Sequence, residues 1–378
     1  MNIKTTYTQL NSDNILYEIR RNPINIYNFK NIVYKSEPNF LTKINNNNNH
    51  EKVKEILLYD NKLEIPIDCS LVFKEYKKEK VMNYIRKKTY IYKIMSMDNI
   101  GHFFIDNLIP IIKMIFIDQN IMNKTLSSIN RNINIILLKS YNETEKQQSI
   151  WKKHLEYLLP FTENKVQFLS NYPNYTLFED VVMCSLGIKR VCWTQKNDND
   201  NCNIKFITSI KKIYYNFYNI TENPSPNKII ILSRQNAKHR KILNENKLFD
   251  TLNNKYNNVE LIQFEKFNLQ QELQLLNNTL LFITPHGAGV ISAFFIPQNS
   301  TCFIFHPKGY TFECDFPTIY KIYIKRLNIN IIQYENNDKR DICRNNIHVN
   351  RDKHFYVNIE EITRLADKVM VKIINKDT

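Results

Sequence analysis

Apolar and polar positions alternate on two length scales from about residue 88 onward. Short apolar runs of about four to eight residues are typical of buried strands, whereas apolar residues repeated every three or four positions predict helices. We predict strands at residues 90–94, 134–138, 165–169, 181–184, 228–232, 259–264, 280–283 and 302–305. We predict helices at residues 99–117, 144–158, 238–256, 269–276, 288–295 and 359–371. This alternation indicates an α/β fold in which parallel sheets carry helices on both faces.

One polar segment, Thr221–Asn227, contains two prolines and interrupts the alternation. Such a composition ends regular elements, so the segment predicts a linker. Before it, the polar run 195–203 predicts a loop, and the first 85 residues show only short β-like runs and an asparagine tract. The predicted organisation is an irregular N-terminal extension (1–85), two Rossmann-like domains facing a central cleft (86–222 and 223–358) and a C-terminal helix (359–378) that packs back on the first domain.

Glycine is scarce, with five residues in 378, and two of the five lie in the segment Thr284–Gly289, which we call the glycine loop. Glycine permits a close approach of the backbone to a ligand. Because the loop joins a predicted strand to a predicted helix, the amides of Gly287, Ala288 and Gly289 are expected to hold a phosphate. His286 is expected to stack on the nucleotide or donate a hydrogen bond to it. The alternative is a plain strand–helix turn, and the dinucleotide fingerprint is excluded because no third glycine follows at the required spacing.

A second candidate site is the pair His102 and Asp106, four residues apart in a predicted helix. Residues at this spacing share one helix face, and a carboxylate beside an imidazole orients it and raises its basicity, as a general base requires. Three alternatives stay open: a histidine that caps the helix start, the histidine base of a coenzyme A-dependent acyltransferase, and a pair of metal ligands that lacks a third member.

A third candidate is the basic segment Ser233–Arg240, which we call the arginine loop. It follows a predicted strand and opens a predicted helix, and its Arg234 and Arg240 suit a diphosphate because a guanidinium offers a planar pair of donors. The alternative is a solvated basic turn. The sequence Asp198-Asn199-Asp200 has the spacing of a manganese-binding motif, but in a run of asparagine and aspartate we expect no metal site there.

Bulk properties narrow the function classes. The formal net charge of +15 is compatible with nucleic-acid binding. Scattered lysines without a recognised binding motif favour biased composition instead, so we expect no nucleic-acid partner. Seven cysteines without a CxxC pair argue against a zinc ribbon. The first residues show no signal peptide, and no apolar run of about 18 residues predicts a membrane span. A cytoplasmic location is therefore expected, or the secretory pathway if an anchor precedes this chain; the basic surface also allows peripheral membrane association.

Together, the order and spacing of these motifs resemble glycosyltransferase family 61, over about residues 90–375. The matching pieces are Asn99-x-x-His102-x-x-x-Asp106-x-x-x-Pro110, Ser233-Arg234 followed by Arg240-x-x-x-Asn244-Glu245, Phe264-Glu265, Pro285-His286-Gly287-Ala288-Gly289 with Phe295-x-Pro297, and Asp352–Val357. Segment 228–310 is the most specific part of the resemblance.

The resemblance implies an inverting, metal-independent glycosyltransferase of GT-B architecture. Members include protein O-linked N-acetylglucosaminyltransferases and plant xylan xylosyl- and arabinosyltransferases, which use nucleotide sugars, commonly UDP-linked. His102 or Asp106 would be the base that deprotonates the acceptor hydroxyl of a glycan or glycoprotein, with Asn99 on the acceptor side. The implied donor-binding residues are Ser233, Arg234, Arg240, Asn244, Glu265, His286, Gly287, Ala288 and Gly289. The competing functions are the acyltransferase, a nucleic-acid-binding protein, and a transferase fold that binds a nucleotide without reacting.

Overall fold

The computed structural model describes residues 7–10, 26–34, 54–55, 72–73, 83–94, 99–121, 128–138, 151–173, 176–184, 201–308, 324, 327–335 and 352–374. The chain divides into two compact units. The first comprises Met1–Asp98 and His102–Thr194, and the second comprises Asn99–Gly101 and Gln195–Thr378.

The first unit contains a mixed sheet. In the described residues its strands are β1 (Tyr7–Leu10), β2 (Ile26–Tyr34), β5 (Asn83–Ile85), β6 (Thr89–Lys93), β7 (Asn134–Leu138), β8 (Gln167–Phe168) and β9 (Thr176–Cys184), while β3 (Lys54–Glu55) and β4 (Val72–Phe73) form a separate antiparallel pair. The sheet order is β1-β2-β9-β6-β7-β8, and β5 also pairs with β9. Strands β5 to β9 pair in parallel, whereas β2 is antiparallel to both β1 and β9.

One long helix follows β6. Helix α1 runs from Ile100 to Asp118, and its section Phe103–Leu108 has π-helical hydrogen bonding. By length and composition this helix is able to cross a membrane, but 83% of its most apolar window is buried inside the protein. A helix that is apolar on every side is also typical of a protein core, which agrees with this burial.

The second unit contains a sheet of five parallel strands. They are β10 (Lys228–Leu232), β11 (Val259–Ile262), β12 (Thr279–Pro285), β13 (Thr301–His306) and β14 (Asn330–Glu335), in the order β11-β10-β12-β13-β14. The helices are α2 (Asn201–Phe217), α3 (Glu245–Tyr256), α4 (Leu269–Asn277), a 3-10 helix (Ala288–Phe295) and α5 (Ile359–Ile374). Strands β12 and β13 are buried along their whole length, which explains their continuous apolar sequence.

The α/β prediction with two Rossmann-like sheets of parallel strands is confirmed. Strands β7 and β10 have the predicted bounds. The predicted strand at 165–169 shortens to β8. Residues 144–150 and the asparagine tract lie outside the described residues.

Three local predictions are wrong. The predicted helix at 238–256 begins only at Glu245, because Arg240 has a left-handed φ of +64° that ends any helix at that position. Residues 288–295 form a 3-10 helix rather than an α-helix. The loop predicted at 195–203 gives way to α2 from Asn201 onward, while residues 195–200 lie outside the described residues.

Candidate functional site

The arginine loop and the glycine loop lie at the switch point of the second sheet. Strand β10 is central, with β11 on one side and β12 on the other, so the chain crosses over β10 between these two neighbours. Ligands of open α/β sheets bind in the crevice that such a reversal leaves beyond the carboxyl ends of the strands. Ser233 directly follows β10 and His286 directly follows β12, so both predicted loops border this crevice.

The two arginines converge on Gly287. Its φ of +123° and ψ of −162° define a backbone conformation that only glycine adopts readily. A Cβ atom there would lie less than 3.0 Å from Nη1 of Arg240 and 3.8 Å from Nη1 of Arg234. The absence of a side chain therefore lets both guanidinium groups close over the backbone. We call Arg234, Arg240 and Gly287 the phosphate cradle.

Each guanidinium is held in place by other contacts. Arg240 donates from Nε and Nη2 to Oδ1 of Asp352, at 3.2 and 2.9 Å. Arg234 donates from Nε to the carbonyl oxygen of His239 at 3.4 Å. Burial and the nearby charge of Arg240 lower the pKa of Arg234, and Glu265 opposes them. A guanidinium remains charged in proteins, so the shift reports electrostatic repulsion that a bound anion would relieve.

The 3-10 helix beyond the cradle is anchored at its carboxyl end by α2, which the sequence analysis missed. Lys211 donates to the carbonyl oxygen of Ile296 at 2.7 Å and to Oε1 of Glu222 at 2.6 Å. The hydroxyl of Tyr215 donates to the carbonyl oxygen of Phe295. Burial lowers the pKa of Lys211, and Glu222 opposes this. Lysine and tyrosine four residues apart, on the same face as an apolar stripe, are the signal that would have located this helix.

Gly289 serves packing. A Cβ atom there would lie 2.5 Å from Cδ2 of Leu232, the last residue of β10. The start of the 3-10 helix is thereby held against the end of the central strand. The first N–H groups of such a helix have no partner within it and attract an anion.

His286 is part of the wall behind the cradle. Its side chain is buried, and its ring stacks on that of His306 with centroids 5.4 Å apart and an interplanar angle of 24°. Burial lowers the pKa of His306 to about 4, so His306 is neutral at physiological pH. The two imidazoles form an uncharged aromatic layer between β12 and β13.

The other predicted donor residues surround the arginine loop. Buried Ser233 donates to Oε1 of Glu245 at 2.8 Å, and burial raises the pKa of Glu245 while Ser233 opposes this. Asn244 makes two hydrogen bonds with the backbone of Val357, both 2.9 Å long, and so ties the loop to the segment before α5. Glu265 is exposed in the 3-10 turn Phe264–Lys266.

The predicted catalytic pair is in contact. Nδ1 of His102 lies 2.8 Å from Oδ2 of Asp106, and both side chains are partly exposed, at 30% and 23%. Asp106 belongs to the π-helical section of α1, and its carbonyl oxygen accepts a hydrogen bond from the hydroxyl of Tyr92 at 2.8 Å. π-Helical turns occur frequently at functional sites. Asn99 accepts a hydrogen bond from the backbone N–H of Gly101 at 2.9 Å, at the start of α1.

No group of three or more histidine, cysteine, aspartate or glutamate residues that could hold a metal ion occurs in the part of the chain that the structure describes. Residues 198–200, with the manganese-motif spacing, lie outside that part.

Two comparisons with known proteins give the same family. The EGF domain-specific O-linked N-acetylglucosamine transferase of Drosophila melanogaster is 35% identical to this chain over 96 residues, which are 25% of this chain and 17% of that protein. This chain therefore spans a small part of the length of that relative. The family model described as Glycosyltransferase 61 matches residues 100–304, more than half of the 378 residues, and includes His102, the arginine loop and the glycine loop. The chain belongs to glycosyltransferase family 61, as the motif order predicts.

Proposed function

We propose that this chain is an inverting glycosyltransferase of GT-B type. It transfers a sugar such as N-acetylglucosamine or xylose from a UDP-linked donor to a hydroxyl of a glycan or protein acceptor. The observation that carries the proposal is the convergence of Arg234 and Arg240 on Gly287 at a sheet switch point. Family membership supports sugar transfer, and the O-linked activity in the name of the fly relative supports a hydroxyl acceptor.

The cradle suits the leaving group of such a reaction. As the bond between the sugar and the diphosphate breaks, negative charge builds on the diphosphate. Preorganised donors aimed at developing charge are usually the largest contribution to catalysis. Two guanidinium groups and the amides at the start of the 3-10 helix supply such donors without a metal ion, which is why we expect metal-independent turnover.

His102 is proposed as the base. If Nδ1–H is donated to Asp106, the basic lone pair of the imidazole lies on Nε2. Nε2 then accepts the proton of the acceptor hydroxyl while the hydroxyl oxygen forms a bond to the anomeric carbon and the diphosphate leaves. A single displacement of this kind inverts the anomeric configuration. Asp106 is thus a positioning residue that holds the ring and stabilises the imidazolium.

The testing experiment is a binding panel on metal-free protein, measured by thermal shift and calorimetry. It compares UDP, GDP, CMP, coenzyme A and four UDP-sugars: N-acetylglucosamine, xylose, glucose and galactose. Ligand at 100 times its Kd should stabilise the fold by about 2.7 kcal/mol. Arg234→Ala should abolish the shift, whereas Lys238→Ala, an exposed residue of the same loop that removes the same charge, should retain it.

The outcomes separate the competing functions. A shift with UDP compounds that depends on Arg234 supports the donor site, and a shift with coenzyme A alone supports the acyltransferase. His102→Ala should then lower turnover by about 10²- to 10⁴-fold, the usual contribution of a general base. A His102→Ala variant that retains more than about a tenth of the turnover would refute the base assignment. UDP binding without turnover for any acceptor would indicate a fold kept without its chemistry.

A further inference from the structure

A second concave site lies beside the cradle, in the same unit. It is a cavity of about 320 Å³ at the carboxyl ends of β10 and β11, and none of the cradle residues lines it. Its volume is at the lower end of the range for small-molecule sites, about 300–1,000 Å³. The cavity is therefore large enough for a nucleoside but not for a whole sugar nucleotide.

The cavity adjoins the cradle through the arginine loop. Ser233 and Gln235 both line it, and they are the residues on either side of Arg234. On the opposite side it is lined by Gln263, Lys266 and Phe267, in the turn that also carries Glu265, whose charge acts on Arg234. A ligand with its diphosphate on the arginines thus has this cavity immediately to one side, toward β11.

The lining suits a neutral, planar ring with hydrogen-bonding edges. Gln235 and Gln263 each present an amide, which has both a donor and an acceptor. Leu261 and the aromatic ring of Phe267 supply apolar surface. A uracil ring offers two carbonyl acceptors and an N–H donor between them, a pattern that an amide side chain can match on both counts.

Charge separates the two sites. The cradle brings together two guanidinium groups, whereas the cavity wall carries one lysine, Lys266, and one buried acid, Glu245. Phosphates are accordingly favoured at the cradle, and an uncharged group is favoured in the cavity.

We propose that this cavity binds the uracil ring and ribose of the sugar nucleotide whose diphosphate the cradle holds. The proposal rests on the proposed function, because it needs the donor to be a nucleoside diphosphate sugar. It adds Gln235, Gln263 and Phe267 as residues that select the base.

The test measures the Kd of UDP, ADP and inorganic pyrophosphate by calorimetry on the full chain. Pyrophosphate reports on the cradle alone, and UDP reports on the cradle and the cavity together. The variant is Gln263→Met, which removes the amide at nearly constant volume. The matched control is Gln270→Met, an exposed glutamine on α4 outside the cavity. Unfolding midpoints of all variants establish that the fold is kept.

Gln263→Met is expected to weaken UDP binding about tenfold and to leave pyrophosphate binding within about twofold, because one or two hydrogen bonds to the base are lost. Phe267→Leu is expected to weaken UDP binding several-fold with the same selectivity. Arg234→Ala should weaken both ligands, and the wild type should bind UDP at least about tenfold more tightly than ADP.

The possible failures are distinguishable. If pyrophosphate binds in an Arg234-dependent manner but Gln263→Met and Phe267→Leu leave the UDP affinity unchanged, the cavity assignment is overturned and the donor site stands. Equal affinity for UDP and ADP overturns the selection of uracil. If neither pyrophosphate nor UDP binds the wild type, the donor site fails, and the cavity assignment fails with it.

Discussion

Replacing Gly287 by alanine tests whether the turn after β12 exists to seat Arg240. Two penalties are expected from the structure. Alanine at φ +123° occupies a backbone region that is nearly exclusive to glycine, which costs on the order of 1–3 kcal/mol. The new Cβ atom would also lie less than 3.0 Å from Nη1 of Arg240, so the guanidinium has to move.

Moving Arg240 breaks the hydrogen bonds to Asp352. Hydrogen bonds to charged groups contribute about 1.5–3 kcal/mol, and partial exposure, 20% and 29% for the two side chains, places this pair at the low end. With some relaxation of the loop, Gly287→Ala should lower the free energy of unfolding by about 2–4 kcal/mol. In an Arg240→Ala background the clash is absent, so only the backbone strain of about 1–3 kcal/mol should remain.

The assay is urea denaturation followed by circular dichroism on the wild type, both single variants and the double variant. A coupling free energy of about 0.5–3 kcal/mol between the two positions is expected. The control is Gly289→Ala, the same substitution two residues away, where the new atom meets Leu232 rather than an arginine. It should destabilise the protein without coupling to Arg240. A Gly287→Ala variant that costs the same in both backgrounds would refute the claim that Arg240 packs over this glycine.

Three further outcomes are expected from urea denaturation. The folded pKa of His306 lies near 4, below its ordinary 6.5, so the unfolded chain takes up the proton first as the pH falls; about 2.5 kcal/mol of stability should be lost between pH 7.5 and 4.5, and His306→Phe should lack that loss. Lys211→Met should cost about 1–3 kcal/mol at pH 7 because the buried carbonyl of Ile296 loses its donor, and an unchanged stability would contradict the anchoring role. Asn244→Ala removes both hydrogen bonds to Val357 and should cost about 1–3 kcal/mol, whereas a change below about 0.5 kcal/mol would show that the tie is not needed.

The sequence by itself determined the features that depend on neighbouring residues. Strand β10 has the predicted bounds because its apolar run must lie in a buried parallel sheet. His102 and Asp106 meet because four residues separate them on a helix. The scarcity of glycine located the loop at the end of β12, since a required positive φ leaves a mark in the sequence.

Only the tertiary structure decided which distant groups complete each site. Asp352 binds Arg240 from 112 positions away, and the carbonyl of Ile296 receives Lys211 from 85 positions away. The left-handed backbone of Arg240, which ends the predicted helix early, accompanies that pairing with Asp352 and the closure over Gly287. Local propensity is worth only tenths of a kcal/mol per residue, so a charged hydrogen bond and a buried carbonyl outweigh it. Because such partners are set by sheet order rather than by spacing along the chain, periodicity carries no record of them.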